Sequence, residues 1–327
     1  MPIHSTVKMF AVLAVGLAAT PRAGAEPARA PDAGPRLYAP GTISSAADEE
    51  SFVIMPDAQS AYVVRFGTIL VTRRAGASWS APQIAPFSGT WHDVEPAIAP
   101  DGSFLVFASS RPIVEGGAQL DGHWSNDDLR GQGGNLWKVT RTATGWSAPV
   151  WLPAAVNRGG STSIFCPAIA RDGSLYFLDQ VGGKARLFRS QLRNGSYEVA
   201  EPMPFTAGDW GGNDPAVAPD ESFLVFSSRR PPARENDLFI VFRDAGQWGT
   251  PVHLGERINS RSMDVEPRLG PDGHTLYFAS DRTLASTFPR TRAQAQLDLA
   301  AGMAWSNGLK NIWEVDLAPW LAAHKHP

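Results

Sequence analysis

The stretch VEPAIAPDGSFLVFASSRP (94–112) holds a short apolar run, a Pro-Asp-Gly turn and a longer apolar run. Proline presets φ in such a turn and glycine supplies a positive φ, so the two β-rich runs fold back on each other as a hairpin. The unit recurs as EESFVIMPDAQSAYVV (49–64), FCPAIARDGSLYFLDQ (165–180), NDPAVAPDESFLVFSSRRP (213–231) and VEPRLGPDGHTLYFASDRT (265–283). The turn aspartates Asp57, Asp101, Asp172, Asp220 and Asp272 are 44, 71, 48 and 52 residues apart. A third strand follows each hairpin (GTILVTR, NLWKVTR, RLFRSQL, DLFIVFR, NIWEVDL), and a fourth follows most of them (WSAPQIAPF, WSAPVWLPA, YEVAEPMPF, WGTPVHLGE).

Four strands at a period of about 45–50 residues mark the blades of a β-propeller. The last unit lacks a fourth strand, and RLYAPGTI (36–43) stands where it can supply one. First and last strands then share a blade, and the ring closes without a free edge. The fold class is therefore all-β, a single propeller of five four-stranded blades. Six blades would require an insertion to hide a blade, and neither insertion contains a Pro-Asp-Gly hairpin. The blades fall near 49–90, 94–160, 165–208, 213–260 and 265–318, with insertions at 112–134 and 283–309.

Composition agrees. Glycine and proline make up 58 of 327 residues, about 18% against a usual ~12%, which excludes helix bundles and coiled coils. With 43% apolar and 19% charged residues, the chain is built to fold. The net charge is −3, and no basic block offers to neutralise phosphates, so nucleic acid is not an expected partner. One cysteine gives no disulfide framework. Behind Lys8, the 12-residue apolar run MFAVLAVGLAAT (9–20) and Ala23-Gly24-Ala25 read as a signal peptide, residues 1–25, cleaved after Ala25. Residues 26–36 read as a Pro/Ala-rich tether and 37–327 as the propeller. The expected product is periplasmic or secreted, with no membrane span, and monomeric.

The pattern x-x-Pro-x-[apolar]-x-Pro-Asp-Gly followed by an apolar run and Ser-x-Arg resembles the WD40-like (PD40) repeat of TolB-type propellers, over roughly residues 37–318. The resemblance implies the propeller fold and a binding or scaffolding role for a protein or glycan ligand. The same repeat occurs in peptidase accessory domains and in some polysaccharide lyases. This sequence departs from TolB in lacking a separate N-terminal α/β domain and in showing five blades where TolB has six. It has no trailing hydrolase domain and no G-x-S-x-G, which sets a peptidase aside.

With the turn at Pro100–Ser103, hairpin geometry pairs Ile98 with Leu105 and Glu95 with Ala108, and brings Arg111 near His92. The start of strand one, the end of strand two and the connection between strands two and three then share one rim, and the Pro-Asp-Gly turns form the other. Strand one, short and rich in Ala, Val and Ile, should line the channel. Both insertions leave from strand-two-to-three connections and build up the first rim, and 291–305 reads as a short helix. That rim is the expected functional face.

Glu50, Glu95, Asp214 and Glu266 recur at the start of strand one, and Arg111, Arg229 and Arg282 at the end of strand two. One reading is an acid–arginine pair in each blade that holds the rim loops. The other is a ring of carboxylates at the channel mouth, able to bind Ca²⁺ or to supply paired acids for glycosidic chemistry. On that second reading Glu95, Asp214, Glu266 and His92 are the candidate catalytic groups, and a glycoside hydrolase or lyase is the alternative function. Asp93 and Asp264 add carboxylates in the Asp-Val-Glu-Pro copies. Trp91, Trp124, Trp210 and Trp305 break the repeat on the same rim and could stack on sugars. Trp79, Trp146, Trp248, Trp137 and Trp313 recur and are read as packing between blades. His123 with Asp121, Asp127 and Asp128 fits no calcium-loop spacing. Cys166 replaces the acid in blade three and reads as a buried apolar substitute. No phosphate loop, dinucleotide fingerprint or H-E-x-x-H is present, so no cofactor is expected beyond a cation in the channel.

Overall fold

The computed structural model describes residues 34–124, 127–159, 161–208 and 210–325. The signal-peptide reading and most of the tether fall on residues outside this set. The described chain forms five antiparallel blades. Their inner strands are Glu49–Ile54, Asp93–Ile98, Phe165–Ile169, Asn213–Val217 and Asp264–Leu269. These five strands pack against one another around the channel. The closing strand is Arg36–Leu37, which pairs Arg36 with Glu314 and Leu37 with Trp313, so it completes blade five as the outermost strand.

All five hairpin turns are built alike. In each, the turn aspartate's Oδ1 accepts from the backbone N–H two residues on, at Gln59, Ser103, Ser174, Ser222 and His274, over 2.9–3.0 Å. Gly102, Gly173 and Gly273 take the left-handed φ that such turns need. Blades one and four put Ala58 and Glu221 there instead. Glu221 gains compensation, since its carboxylate takes Arg189, Arg243 and the Tyr176 hydroxyl and ties blade three to blade four.

The recurring tryptophans divide. Trp79 Nε1 donates to the Tyr38 hydroxyl at 2.9 Å, Trp146 Nε1 donates to the Tyr62 hydroxyl at 2.8 Å, and Trp248 meets Tyr176 edge-on. Each pair spans two blades, as the repeat implied. Trp137 and Trp313 instead lie beneath Arg111 and Arg282 of their own blades, at 5.3 and 5.1 Å.

Both insertions carry structure. The first holds a small hairpin, Gly122–Trp124 with Asp127–Leu129. The second holds the expected helix, Arg292–Ala304, capped by Thr291, whose hydroxyl accepts from the Gln294 N–H. A helix at Ala318–Lys325, not foreseen, follows the last blade strand, and its Trp320 and Leu321 pack on the core of blades four and five. Among the described residues no helix is long and apolar enough to cross a membrane.

Candidate functional site at the channel mouth

The pairing Ile98–Leu105 is as expected, but Val94, not Glu95, faces Ala108. An extra residue is taken up between Val94 and Ala97, and the same slip occurs between Phe165 and Ala168, Asn213 and Ala216, and Val265 and Arg268. Each bulge contains a proline, which has no N–H for the ladder. The residue before that proline is left-handed in all four blades: Glu95 (φ 57°), Cys166 (54°), Asp214 (52°) and Glu266 (53°). For a residue with a side chain this costs about 1 kcal/mol or more. Blade one has Ser51-Phe52 at this point and no left-handed residue; its slip lies between Glu49 and Ser51, at Glu50.

The bulge decides which acid meets each rim arginine. The acid–arginine pair exists, but its acid lies two residues earlier than Glu95 or Glu266. Arg111 Nη2 bonds Asp93 at 2.7 Å, Arg282 bonds Asp264 at 2.5 Å, and Arg65 Nε bonds Glu49 at 2.8 Å. Ser109 and Ser280 brace these arginines. In blade four the corresponding arginine is Arg230, on Ser228, whereas Arg229 is exposed and pairs with Glu235. Asp93, Asp264, Arg111 and Arg282 are thus paired within their own blades, and Arg229 falls outside the motif.

Glu95, Asp214 and Glu266, free of those arginines, converge on the channel axis around Cys166. The Cys166 N–H donates to Glu95 Oε2 at 2.5 Å, and its thiol lies 3.0 Å from Asp214 Oδ1 and 3.8 Å from Glu266 Oε1. Ser227 donates to Asp214 at 2.7 Å. Cys166 is buried, as expected, but against carboxylates as well as apolar neighbours. Burial, with the surrounding acids, raises its thiol well above the usual range and so disfavours the thiolate. Burial pushes Glu95 up to about 7, and burial with the charges of Asp214 and Glu95 raises Glu266 well above the usual carboxylate range.

Above these groups opens a cavity of about 340 Å³, also lined by Glu50, His92 and Lys310. Lys310 is held by Asp48 at 2.8 Å. Burial raises Glu50 and lowers His92, and the buried Nδ1 of His92 has no hydrogen-bond partner. His92 rests on Gly67, where a Cβ would come within 2.3 Å of the ring. Leu129 and Gln132 bring the first insertion to the same cavity.

The tryptophans scatter. Trp210 is 56% exposed, in a neighbouring recess shared with Arg229, Asn213, Asn236 and Met263. Trp305 packs edge-on against Trp313 and anchors the second insertion. Trp91 is half-buried and does not line the mouth, and the side chain of Trp124 is outside the described set. His123 pairs with Asp128, and Asp121 accepts from the Gly131 N–H.

Atoms of Glu95, Cys166 and Glu266 lie within 4.8 Å of one another. A thiol at the centre suits a borderline cation such as zinc better than Ca²⁺, which takes oxygen ligands. Sequence reasoning missed Arg268. Its guanidinium bonds Glu266 at 3.0 Å and lies in the channel where the other blades have Val53, Ala97, Ala168 and Ala216. That contrast among the five copies was the available signal.

No protein-family model and no curated protein matches the sequence. Among solved structures, a TolB-type protein of Agrobacterium tumefaciens is 17% identical, with 75% of this chain and 73% of that one covered and a TM-score of 0.48. TolB of Acinetobacter baumannii is 12% identical at a TM-score of 0.41, covering 81% of this chain and 52% of that one, about half its length. A gluconolactonase of Xanthomonas campestris is 15% identical at a TM-score of 0.48, covering 76% and 79%. Likeness at these levels assigns neither residues nor activity.

Proposed function

We propose that the protein is a binding propeller that holds a protein partner on the rim built by its strand-two-to-three connections. One observation carries this reading. Of fifteen exposed large apolar side chains among the described residues, eleven lie on that rim: Phe66, Ile113, Val114, Val181, Trp210, Leu284, Phe288, Leu297, Leu299, Met303 and Leu309. The other four, Ile84, Val150, Val199 and Val252, sit in or beside outer strands, and none lies on the Pro-Asp-Gly rim. Large apolar side chains left exposed and concentrated on one face in this way point to an interaction site.

The helix of the second insertion has no buried residue. Asp298 is held by Arg290 and Gln294 of the same insertion, while Leu297, Leu299, Ala300 and Met303 are exposed. A helix that leaves its leucines uncovered offers them to a partner. The acidic mouth at the centre of this rim favours a partner with a basic group. The leader-like residues 1–25 support export to the periplasm or the medium. Affinity capture from the native extract tests the reading: wild type should retain a partner that Leu297→Glu with Met303→Glu loses, at unchanged melting temperature. Equal retention by both would overturn it.

A second reading, a retaining glycoside hydrolase, has its own observation. Carboxylate oxygens of Glu95 and Glu266 lie within 4.8 Å, close to the ~5 Å of a retaining pair. It asks that one of the two be ionised, whereas burial raises both. Release of nitrophenol from an aryl-glycoside panel, lost in Glu266→Gln, would favour it over the binding role.

A further inference from the structure

Two recesses continue the mouth cavity outward over blades three and four. The first, of about 390 Å³, shares Asn213, Asn236 and Met263 with the mouth. The second, of about 500 Å³, shares Gln180 and Gly183 with the first and adds His123 and the run Ser161-Thr162-Ser163. In series the three form one groove on the insertion-bearing rim. Beyond the mouth its lining is mainly polar, and its charges are matched: Arg229 pairs with Glu235, and His123 with Asp128. The amides Gln180, Asn213 and Asn236 are each partly exposed. Among the described residues the side chains of Asn236 and Thr162 take part in no internal hydrogen bond. Trp210, 56% exposed, supplies an aromatic surface on a braced loop. Arg230 Nη2 donates to the Gly211 carbonyl at 2.9 Å, and Arg186 Nη2 to the Gly208 carbonyl. Gly211 has φ 62°, and a Cβ there would come within 2.4 Å of the Ala185 carbonyl oxygen, so the loop sits directly on blade three. A held indole loses little freedom when a ligand ring stacks on it.

We propose that this groove binds an oligosaccharide of neutral sugars, about three rings long, with one ring stacked on Trp210. Size and chemistry both lead there. Each recess lies within the roughly 300–1,000 Å³ of a small-ligand site, which allows about one ring apiece. Amides and hydroxyls both donate and accept, which suits sugar hydroxyls, and an indole covers the apolar face of a ring. A peptide groove would offer apolar pockets for alternate side chains, and the two outer recesses offer amides and hydroxyls instead. Glu50, Glu95, Asp214 and Glu266 at the mouth end turn away sugars that carry carboxylates. Sugar binding here needs neither a protein partner nor bond cleavage, so titration of the purified protein succeeds or fails apart from the capture and nitrophenol assays.

The test is titration calorimetry of the purified protein with linear trimers of glucose, mannose and N-acetylglucosamine, against a galacturonic acid trimer and the peptide triserine. At least one neutral trimer should bind with a submillimolar dissociation constant, and the galacturonate trimer and triserine at least about tenfold more weakly. Trp210→Ala should weaken the sugar at least about tenfold, and Trp210→Phe, which keeps a stacking face, by no more than about threefold. Asn236→Ala should cost about fivefold. Trp210 is exposed, so its variants should melt with wild type, which separates a lost site from a lost fold. No heat from any neutral trimer at about 10 mM, galacturonate or triserine bound as tightly as the sugars, or full affinity in Trp210→Ala would overturn the proposal.

Discussion

The two rims of this propeller are made from the same five hairpins and could hardly differ more. At the Pro-Asp-Gly rim every turn repeats: an aspartate accepts from the N–H two residues on, a left-handed residue follows, and no large apolar side chain is exposed. At the opposite rim the strand-two-to-three connections range from the two-residue turn Phe66-Gly67 to two long insertions, and eleven large apolar side chains face solvent. Phe66 is left-handed, as its two-residue turn with Gly67 requires, and 81% exposed, an uncommon conformation for a bulky residue. The difference teaches where structural constraint ends. Identical turns close the blades, and the variable connections are free to carry the proposed docking surface.

The comparison can be broken at its strongest architectural element first. Arg282→Ala strips the buried Asp264 of its guanidinium and should destabilise the fold by about 3–5 kcal/mol in urea unfolding. A loss under 1 kcal/mol would show that the rim arginines do not brace the blades. Arg229→Ala, at the exposed pair with Glu235, should change stability by less than about 1 kcal/mol.

Next comes the acidic mouth. Glu95 titrates higher in the folded chain than unfolded, so the native state binds the extra proton between about pH 4.5 and 7. Stability should therefore fall as pH rises through that window. Glu95→Gln should flatten the fall and gain about 2 kcal/mol at pH 8. A wild-type profile flat from pH 5 to 8 would mean that the mouth is better solvated than its geometry implies. The smallest effect belongs to the seams between blades: Trp146→Phe, which loses the bond to Tyr62, should cost about 1 kcal/mol.

Much of this was legible in the sequence, because repetition amplifies weak signals. Five copies of one hairpin gave the blade count, the identity of the inner strand and the closing strand at Arg36–Leu37. The bulge was harder to see. A straight ladder puts Glu95 one register step from where it lies and gives the arginines the wrong acids. The prolines Pro96, Pro167, Pro215 and Pro267 inside strand one were the clue, since proline within a paired strand signals a bulge. Arg268 stands in plain view against four small residues, but only burial shows that its Nε lacks a partner. The outward leucines of the second insertion could not be read at all. Amphipathic periodicity gives a helix face without saying which side is covered.

The central claim is that recognition happens at the insertion-bearing rim. The most direct measurement is photocrosslinking in the native host, with benzoylphenylalanine placed in turn at Phe66, Leu297 and Met303 on one rim and at Ser103, Ser222 and His274 on the other. The account predicts a discrete adduct from the first three positions and none from the second three. Adducts from the Pro-Asp-Gly rim alone, or from no position in a protein that is folded and exported, would contradict it.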